Sequence, residues 1–177
     1  MPEPFLTYGR VPAFLQDFYM NFKKFVWNAG KLDEKTKAII ALAVSANREC
    51  QVWTERMSAR LLASGGTEQE VADTVAVAAT CTMYNVFFKF RDISGSDIFN
   101  GMSVGLRAHA FANTTLDDAT VELINIAISD INGCKPCTTG HVEKARQLGL
   151  SDDQILEAVQ CAATMSAGVA FLNAAEL

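Results

Sequence analysis

The sequence predicts an all-α fold built from a duplicated helical unit, and three observations support this prediction. Apolar residues recur at helical spacing along most of the 177 residues, and β-branched residues sit inside long apolar segments rather than in alternating runs. Only four prolines occur, and three of them precede Leu15, so the rest of the chain has few helix breakers. The two halves of the chain also align with each other without a gap. We therefore expect a compact multi-helix domain that assembles into an oligomer.

The first half begins with an irregular lead over residues 1–10, followed by segments with apolar positions at helical spacing. Gly30 and the Ser-Gly-Gly run at 64–66 are the predicted stops between these segments. Thr67, with Glu70 three residues on, forms a capping box at the start of a helix. The predicted helices of this half span residues 11–29, 33–47, 49–63, 67–80 and 83–91.

The second half follows a predicted loop over residues 92–101. A break is expected at residues 132–133, and Gly149 is a predicted C-cap. Ser151, with Gln154 three residues on, marks the start of the next helix. The predicted helices of this half span residues 102–111, 117–131 and 134–147, then a stretch from 151 and a final one over 166–176.

A shift of 84 residues superimposes the halves, as from Cys50 to Cys134. No gap is needed across residues 32–82, and the glycine stops coincide. Two alanine-rich hairpins that match by chance are the alternative. We divide the chain accordingly, and the predicted units are an N-terminal lead and helix (1–30), a first helical repeat (31–115) and a second helical repeat (116–177).

The alignment assigns the reactive side chains to the second repeat. Cys137, His141 and Glu122 all lie there. The residues at the same places in the first repeat are, in that order, Trp53, Met57 and Ala38. Chemistry is therefore expected in the second repeat, with the first as scaffold.

Composition narrows the class of protein. The net charge is −5 and the basic residues form no cluster, which argues against a nucleic-acid partner. No long uninterrupted apolar run is evident, so no membrane span is expected. The N-terminal residues lack the basic and apolar regions of a signal peptide, so we expect a cytoplasmic protein. In that compartment a CxxC motif indicates redox or metal chemistry rather than a structural disulfide.

The motif Cys134-x-x-Cys137-x-x-x-His141 carries the predicted chemistry. Spacings of three and four residues put the three side chains on one helix face. The first turn of a helix favours a thiolate, and two cysteines three residues apart can bridge there. His141 can accept or relay a proton from Cys137. Helix position favours Cys134 as the attacking thiol and proximity to the base favours Cys137, so the residues alone leave this open.

Glu122 is the predicted third member of the site. Its helix is apolar almost all round and should be buried, so the carboxylate needs a partner. A contact with His141 would supply that partner and orient the imidazole. The alternative is a Glu122 that faces solvent at a helix edge.

The polar and sulfur-bearing residues also allow other interpretations. A zinc site would have three ligands in the motif, but a closed site needs a fourth, and the second histidine of the chain is His109. We therefore predict no metal and treat His109 as a surface or interface residue. Cys50, Cys81 and Cys161 sit among small apolar residues and are predicted to be buried packing residues.

The second half resembles the alkyl hydroperoxidase D group of the carboxymuconolactone decarboxylase superfamily. The residues that match are Glu122, the stretch Ile131-Asn132-Gly133-Cys134-Lys135-Pro136-Cys137, and His141. Residues 84–91 and 105–107 extend the resemblance to most of the chain. A well-known branch of the group has a histidine at the place of Pro136, which here stiffens the turn without donating a proton.

The resemblance implies an all-α protein that forms trimers or multiples of them. It also implies a thiol-dependent hydroperoxide reductase, or a dithiol reductant of a peroxiredoxin, with no bound cofactor and with re-reduction by a dihydrolipoyl protein. Carried over by position, Cys137 would be activated through Glu122 and His141, and Cys134 would be its disulfide partner. The alternatives are a lyase like carboxymuconolactone decarboxylase, using Glu122 and His141 as acid and base, and a non-catalytic redox sensor.

Overall fold

The computed structural model describes residues 11–175, and all regular elements in that range are helical. The α-helices are α1 (Pro12–Asn21), α2 (Glu34–Asn47), α3 (Gln51–Ala63), α4 (Glu68–Ser94), α5 (Asp97–Gly101), α6 (Asp118–Ile131), α7 (Lys135–Gln147) and α8 (Asp152–Ala175). A π-helical segment (Phe22–Trp27) continues α1, and a 3-10 turn (His109–Phe111) precedes α6. The all-α prediction is confirmed. The predicted lead over 1–10 and the end of the last helix at 176 lie outside the described residues.

The helix bounds recur at the shift of 84 residues found in the sequence. Helices α2 and α6 begin and end at equivalent positions, as do α3 and α7, and α4 and α8 begin at equivalent positions. The local causes recur too. Asp33 accepts a hydrogen bond from the Thr36 backbone N–H at 2.7 Å, and Asp117 accepts one from Thr120 at 2.9 Å. Such N-caps satisfy a backbone donor that the first turn leaves unpaired.

Three of the predicted element boundaries are wrong. Residues 67–80 and 83–91 form one continuous helix, α4, whose buried face includes Val77, Cys81 and Asn85. The buried face continues across residues 81–82, between the two predicted helices, and α4 contains no glycine or proline. The predicted loop over 92–101 instead contains the end of α4 and the short helix α5. The stretch from 151 and the one over 166–176 are likewise a single helix, α8.

The predicted helix over 102–111 is also wrong, apart from its last turn. Side chains of α4 hold this segment in a non-helical path. Arg91 donates to the Met102 carbonyl, and the Tyr84 hydroxyl donates to the Leu106 carbonyl at 2.8 Å. Gly105 has a φ of +67°, which most residues avoid. These tertiary hydrogen bonds override the weak helical pattern of the segment.

Helices α2 and α6 form the centre of the fold. Residues 37–45 of α2 and 120–129 of α6 are all buried, and their apolar side chains belong largely to one core. The prediction that the helix carrying Glu122 is buried is therefore confirmed. Because both central helices are shielded on every side, any polar group on them must find a partner inside the protein.

Two buried carboxylates join the halves of the molecule. Asp73 of α4 accepts a hydrogen bond of 2.6 Å from the Thr115 backbone N–H, just before α6. Glu157 of α8 accepts one of 2.6 Å from the Leu32 N–H, just before α2. The hydrogen bonds from Thr115, foremost its backbone N–H, lower the pKa of Asp73. Each half thus fixes the segment that leads into the central helix of the other.

The sequence predicted no membrane span, but two helices are long and apolar enough to be candidates by length and composition alone. They are α4 and residues 152–174 of α8, each tested over its most apolar 18-residue window. Within the fold, 56% of the α8 window and 33% of the α4 window are buried. A core helix of a soluble protein has the same composition, so this feature is weak support for membrane insertion.

Candidate redox site

The site begins at the sharp turn between α6 and α7. Gly133 adopts a φ of +65°, and the Cys134 N–H donates to the Ser129 carbonyl at 2.9 Å. Cys134 is the N-cap residue of α7, and Pro136 occupies the first turn, where its missing N–H is not needed. The turn therefore places the first cysteine at the amino end of the helix, one residue earlier than a first-turn position.

Cys134 and Cys137 form a disulfide across the first turn of α7, with their Cα atoms 5.3 Å apart. The prediction that this pair can bridge is confirmed, and the structure represents the oxidised form of the site. Cys134 is fully buried, whereas Cys137 retains 8% exposure. Cys137 is therefore the less buried of the two cysteines.

Glu122 reaches the site from α6 and contacts His141. Its Oε2 lies 2.7 Å from His141 Nδ1. The Glu122 side chain is 2% exposed and that of His141 is 25% exposed, so the carboxylate is buried and the imidazole reaches the surface. The alternative of a solvent-facing Glu122 is wrong, because the helix that carries it is buried on all sides.

Lys144 is a further member of the site that the sequence analysis did not identify. Its Nζ lies 2.8 Å from Glu122 Oε1, so the two carboxylate oxygens of Glu122 have separate partners. The signal was present in the spacing, since Lys144 follows His141 by three residues and lies on the same helix face. The spacing alone did not predict the contact, because the partner of Lys144 lies on another helix.

The charge of Glu122 is set by competing effects. Burial raises the pKa of its carboxyl, but the hydrogen bonds and charges of His141 and Lys144 outweigh burial and bring the pKa below its usual value. The carboxylate is therefore ionised at neutral pH. An ionised carboxylate on Nδ1 orients the imidazole.

A buried polar layer lies beside the site. Asn85 of α4 donates to the Ser129 hydroxyl at 2.9 Å and accepts from Asn132 at 3.0 Å. Cys81 also contacts Ser129, with 3.5 Å between its sulfur and the hydroxyl oxygen. Burial raises the pKa of the Cys81 thiol to about 11. This layer joins α4 to the turn that carries Cys134, and its thiol is protonated and unreactive.

The remaining predictions for individual residues are confirmed. Cys50, Cys81 and Cys161 are free and buried, although Cys81 has polar neighbours instead of purely apolar ones. Burial raises the pKa of the Cys161 thiol to about 12. His109 is exposed and lies outside the cluster.

The arrangement combines a dithiol–disulfide pair with a positioned base. Cys137 and His141 are four residues apart on α7, so they are neighbours one turn apart on the same face. In the reduced state, an imidazole held by an ionised carboxylate can take the thiol proton of Cys137. Within residues 11–175, no three His, Cys, Asp or Glu side chains are grouped as metal ligands.

Comparison with known proteins identifies related chains. The carboxymuconolactone decarboxylase family matches this chain twice, over residues 13–89 and 100–177. The alkyl hydroperoxide reductase AhpD of Anaeromyxobacter sp. (strain K) is 30% identical over 168 residues, which cover 93% of this chain and 88% of the relative. The protein of the same name from Streptomyces griseus is 27% identical over 160 residues, with 89% and 88% covered.

Proposed function

The chain belongs to the carboxymuconolactone decarboxylase family as an AhpD-like member, and we propose that it is a thiol-dependent hydroperoxide reductase or the dithiol reductant of a peroxiredoxin. The observation that carries the proposal is the Cys134–Cys137 disulfide one helical turn from His141, which the buried Glu122 carboxylate holds. The names of the relatives support this class of reaction.

The proposed cycle starts from the reduced pair. His141 takes the proton of Cys137, and the thiolate attacks the outer peroxide oxygen, which releases an alcohol and leaves a sulfenic acid on Cys137. The Cys134 thiol then displaces water and forms the disulfide. If a peroxiredoxin is the substrate, the pair instead reduces its disulfide by thiol exchange.

Re-reduction of the pair needs an external dithiol, for which we propose a dihydrolipoyl group on a partner protein. One of its thiolates attacks the sulfur of Cys137, the less buried of the two cysteines, and Cys134 leaves as the thiolate. Its second thiol resolves the mixed disulfide, so a cyclic disulfide leaves and both cysteines return as thiols. No bound cofactor is required by this cycle.

The leaving alkoxide must receive a proton, and Pro136 cannot donate it. This residue lies between the cysteines and has no donor group. His141, protonated in the first step, therefore returns the proton in this proposal. We expect a slower peroxidase than in relatives with a histidine there, which makes the peroxiredoxin-reducing role the stronger of the two.

We propose that the protein is a cytoplasmic homo-oligomer, a trimer or a multiple of one. Exposed apolar side chains on the carboxyl half of α4 and in the segment after it support association. They are Val86, Phe90, Ile93, Ile98, Phe99 and Met102. A patch of this kind on a soluble protein is typical of a subunit interface.

We also propose that the fold arose by duplication, with repeats over 31–115 and 116–177 after the lead of 1–30. The repeated helix bounds and the two matches to one family support this division.

The test is peroxide consumption by the reduced protein with dihydrolipoamide as donor. Cys134→Ser/Cys137→Ser should lose turnover, and Cys50→Ser is the matched control because Cys50 precedes α3 as Cys134 precedes α7. Peroxide turnover in the double variant would contradict the proposal, and turnover of a small lactone or keto acid by that variant would favour a lyase that uses Glu122 and His141. A single stoichiometric oxidation without turnover would instead favour a redox sensor.

A further inference from the structure

An open cleft of about 800 Å³ lies on the first half of the molecule, away from the cysteine pair. The face of α3 forms one wall, and α1 with the π-helical segment forms the other. Among the aromatic residues that line it, Tyr19, Phe22 and Trp27 are exposed or half-buried, whereas Phe18 and Trp53 are almost fully buried. A cleft of this size matches the volume that a drug-sized molecule occupies.

Residues of the cleft occupy the positions in the first half that are equivalent to the redox-site residues of the second half. Trp53 and Met57 stand where the second half has Cys137 and His141, and Arg60 stands where it has Lys144. Trp53 and Phe22 lie 5.5 Å apart between ring centroids, and Phe22 and Trp27 lie 5.9 Å apart. Large buried side chains thus replace the reactive ones, and Trp53 packs against Phe22 of the cleft.

The π-helical segment shapes the cleft. Its wider turn ends at Asn28, and the Lys37 ammonium holds it there through the carbonyls of Lys24 and Asn28, at 3.1 and 2.8 Å. Lys37 is itself fully buried and paired with Glu157 at 3.1 Å. Single π-helical turns within helices are frequent at functional sites. The wall is therefore a fixed feature of the fold.

The charged side chains that line the cleft are all cationic. Lys23, Arg56 and Arg60 line it, and no acidic residue does. Arg60 is engaged, since its Nη2 donates to Glu34 at 2.6 Å and its guanidinium lies 4.2 Å from the centre of the Trp27 ring. Across the part of the chain that the structure describes, the side chains of Lys23 and Arg56 have neither an ion pair nor a hydrogen bond. Two uncompensated cations beside an apolar wall are notable in a protein of net charge −5.

We propose that this cleft is a second binding site, for an amphipathic carboxylate with a fatty or aromatic body. The exposed rings of Tyr19 and Trp27 cover the apolar body. Lys23 and Arg56 bind the carboxylate by charge-assisted hydrogen bonds. This site is separate from the redox pair and does not depend on the proposed function.

The chain offers an internal probe for the test. Both of its tryptophans, Trp27 and Trp53, line the cleft, so tryptophan emission reports on the cleft directly. Decanoate, titrated into the full-length protein, should change this emission in a saturable way. Decanol, which has the same chain without the charge, should bind about tenfold more weakly.

Three variants separate the contributions. Lys23→Ala/Arg56→Ala should weaken decanoate binding about tenfold and leave decanol binding unchanged. Arg48→Ala/Arg107→Ala removes the same charge from exposed positions outside the cleft and should leave both titrations unchanged. Ala59→Phe, which places a ring in the cleft and keeps its cations, should weaken both. Circular dichroism of each variant verifies the fold.

The proposal is overturned if emission does not saturate, if decanol binds as tightly as decanoate, or if the cleft cations can be removed without effect. It is also overturned if the emission follows protein concentration instead of decanoate, because a second copy of the chain would then occupy the cleft. None of these outcomes bears on peroxide turnover, so the two proposals fail independently.

Discussion

The hairpins α2–α3 and α6–α7 have the same backbone conformation but carry different side chains on their inner faces. Each has an aspartate N-cap and a turn whose residue before the cysteine has positive φ, +55° at Glu49 and +65° at Gly133. In both, the cysteine N–H donates to a serine carbonyl, Ser45 or Ser129. In α6–α7 the inner face carries a disulfide and a carboxylate, and in α2–α3 it carries Trp53 and Met57. The backbone therefore supplies a turn and a helix start, and the side chains alone decide whether the place reacts.

The buried carboxylates show the same division. Glu122 is held by two side chains of α7 at the redox site, whereas Glu157 is held by Lys37 and by the backbone before α2. The first pair of contacts serves the reactive hairpin and the second fixes the scaffold. Substitutions of Glu122 should therefore affect turnover, and substitutions of Lys37 or Glu157 should affect stability.

The largest effect is expected from Lys37→Met in the scaffold. This change leaves the Glu157 carboxylate buried without its cation and frees two backbone carbonyls, so we expect a loss of about 3 kcal/mol in the free energy of unfolding. Urea denaturation measures it. Lys37→Met/Glu157→Gln should recover part of the loss, and a double variant no more stable than the single would contradict the role of the ion pair.

Glu122→Gln should affect chemistry instead. The amide keeps the shape but loses the charge that orients His141, so we expect kcat/KM to fall about 100-fold. Steady-state turnover with dihydrolipoamide measures it. Glu157→Gln serves as the matched control, since it removes a buried carboxylate outside the site and should change stability while kcat/KM stays within about twofold.

The same residue gives a pH dependence of stability. The pKa of Glu122 is lower in the folded protein than its usual value of 4.5, so the unfolded chain binds the proton more tightly. Its contribution to stability is therefore present above pH 4.5 and is lost as pH falls through the folded pKa. As the pH is lowered from 7 to 3, the melting temperature should fall more steeply for the native protein than for Glu122→Gln. Parallel curves would contradict this.

Gly133→Ala compares the two turns. An alanine at a φ of +65° should cost about 1 kcal/mol, or roughly 2–4 °C in the melting temperature. Glu49→Ala is the control, because that turn already carries a side chain at positive φ and should change little. Equal losses at both positions would mean that the turn conformations are not equivalent.

The smallest effect is expected from Lys144→Met. Its side chain is 60% exposed, so solvent screens its interaction with Glu122. Removal should raise the pKa of Glu122 and slow turnover a few-fold at the acid end of the pH profile, with little change at pH 8. High salt should narrow the difference from the native protein. A uniform loss at all pH values would indicate a different role for Lys144.

The sequence predicted those features whose causes are local. Each of these features depends on residues that are close in sequence, so its pattern can be recognised there. They are the aspartate caps, the glycine stops and the spacing of Cys134, Cys137 and His141. The contact of Glu122 with His141 was predicted as well, because a carboxylate on an otherwise apolar helix requires a partner.

The features that were missed depend on distant partners. The continuity of α4 follows from packing on α2 and α6, and the path of residues 102–108 follows from hydrogen bonds with Tyr84 and Arg91. Lys144 was overlooked because its partner lies 22 positions earlier in the chain. The π-helical segment depends on Lys37 and could not be read from its own residues.

Site-resolved thiol labelling tests the central claim, that redox chemistry is confined to the second hairpin. The reduced protein is treated with increasing peroxide, unfolded in an alkylating reagent and analysed by peptide mass spectrometry. Cys134 and Cys137 should become protected together and return on addition of dihydrolipoamide, while Cys50, Cys81 and Cys161 stay alkylated throughout. Alkylation of Cys134 and Cys137 at every peroxide concentration, or oxidation of Cys50 in step with them, would contradict the account.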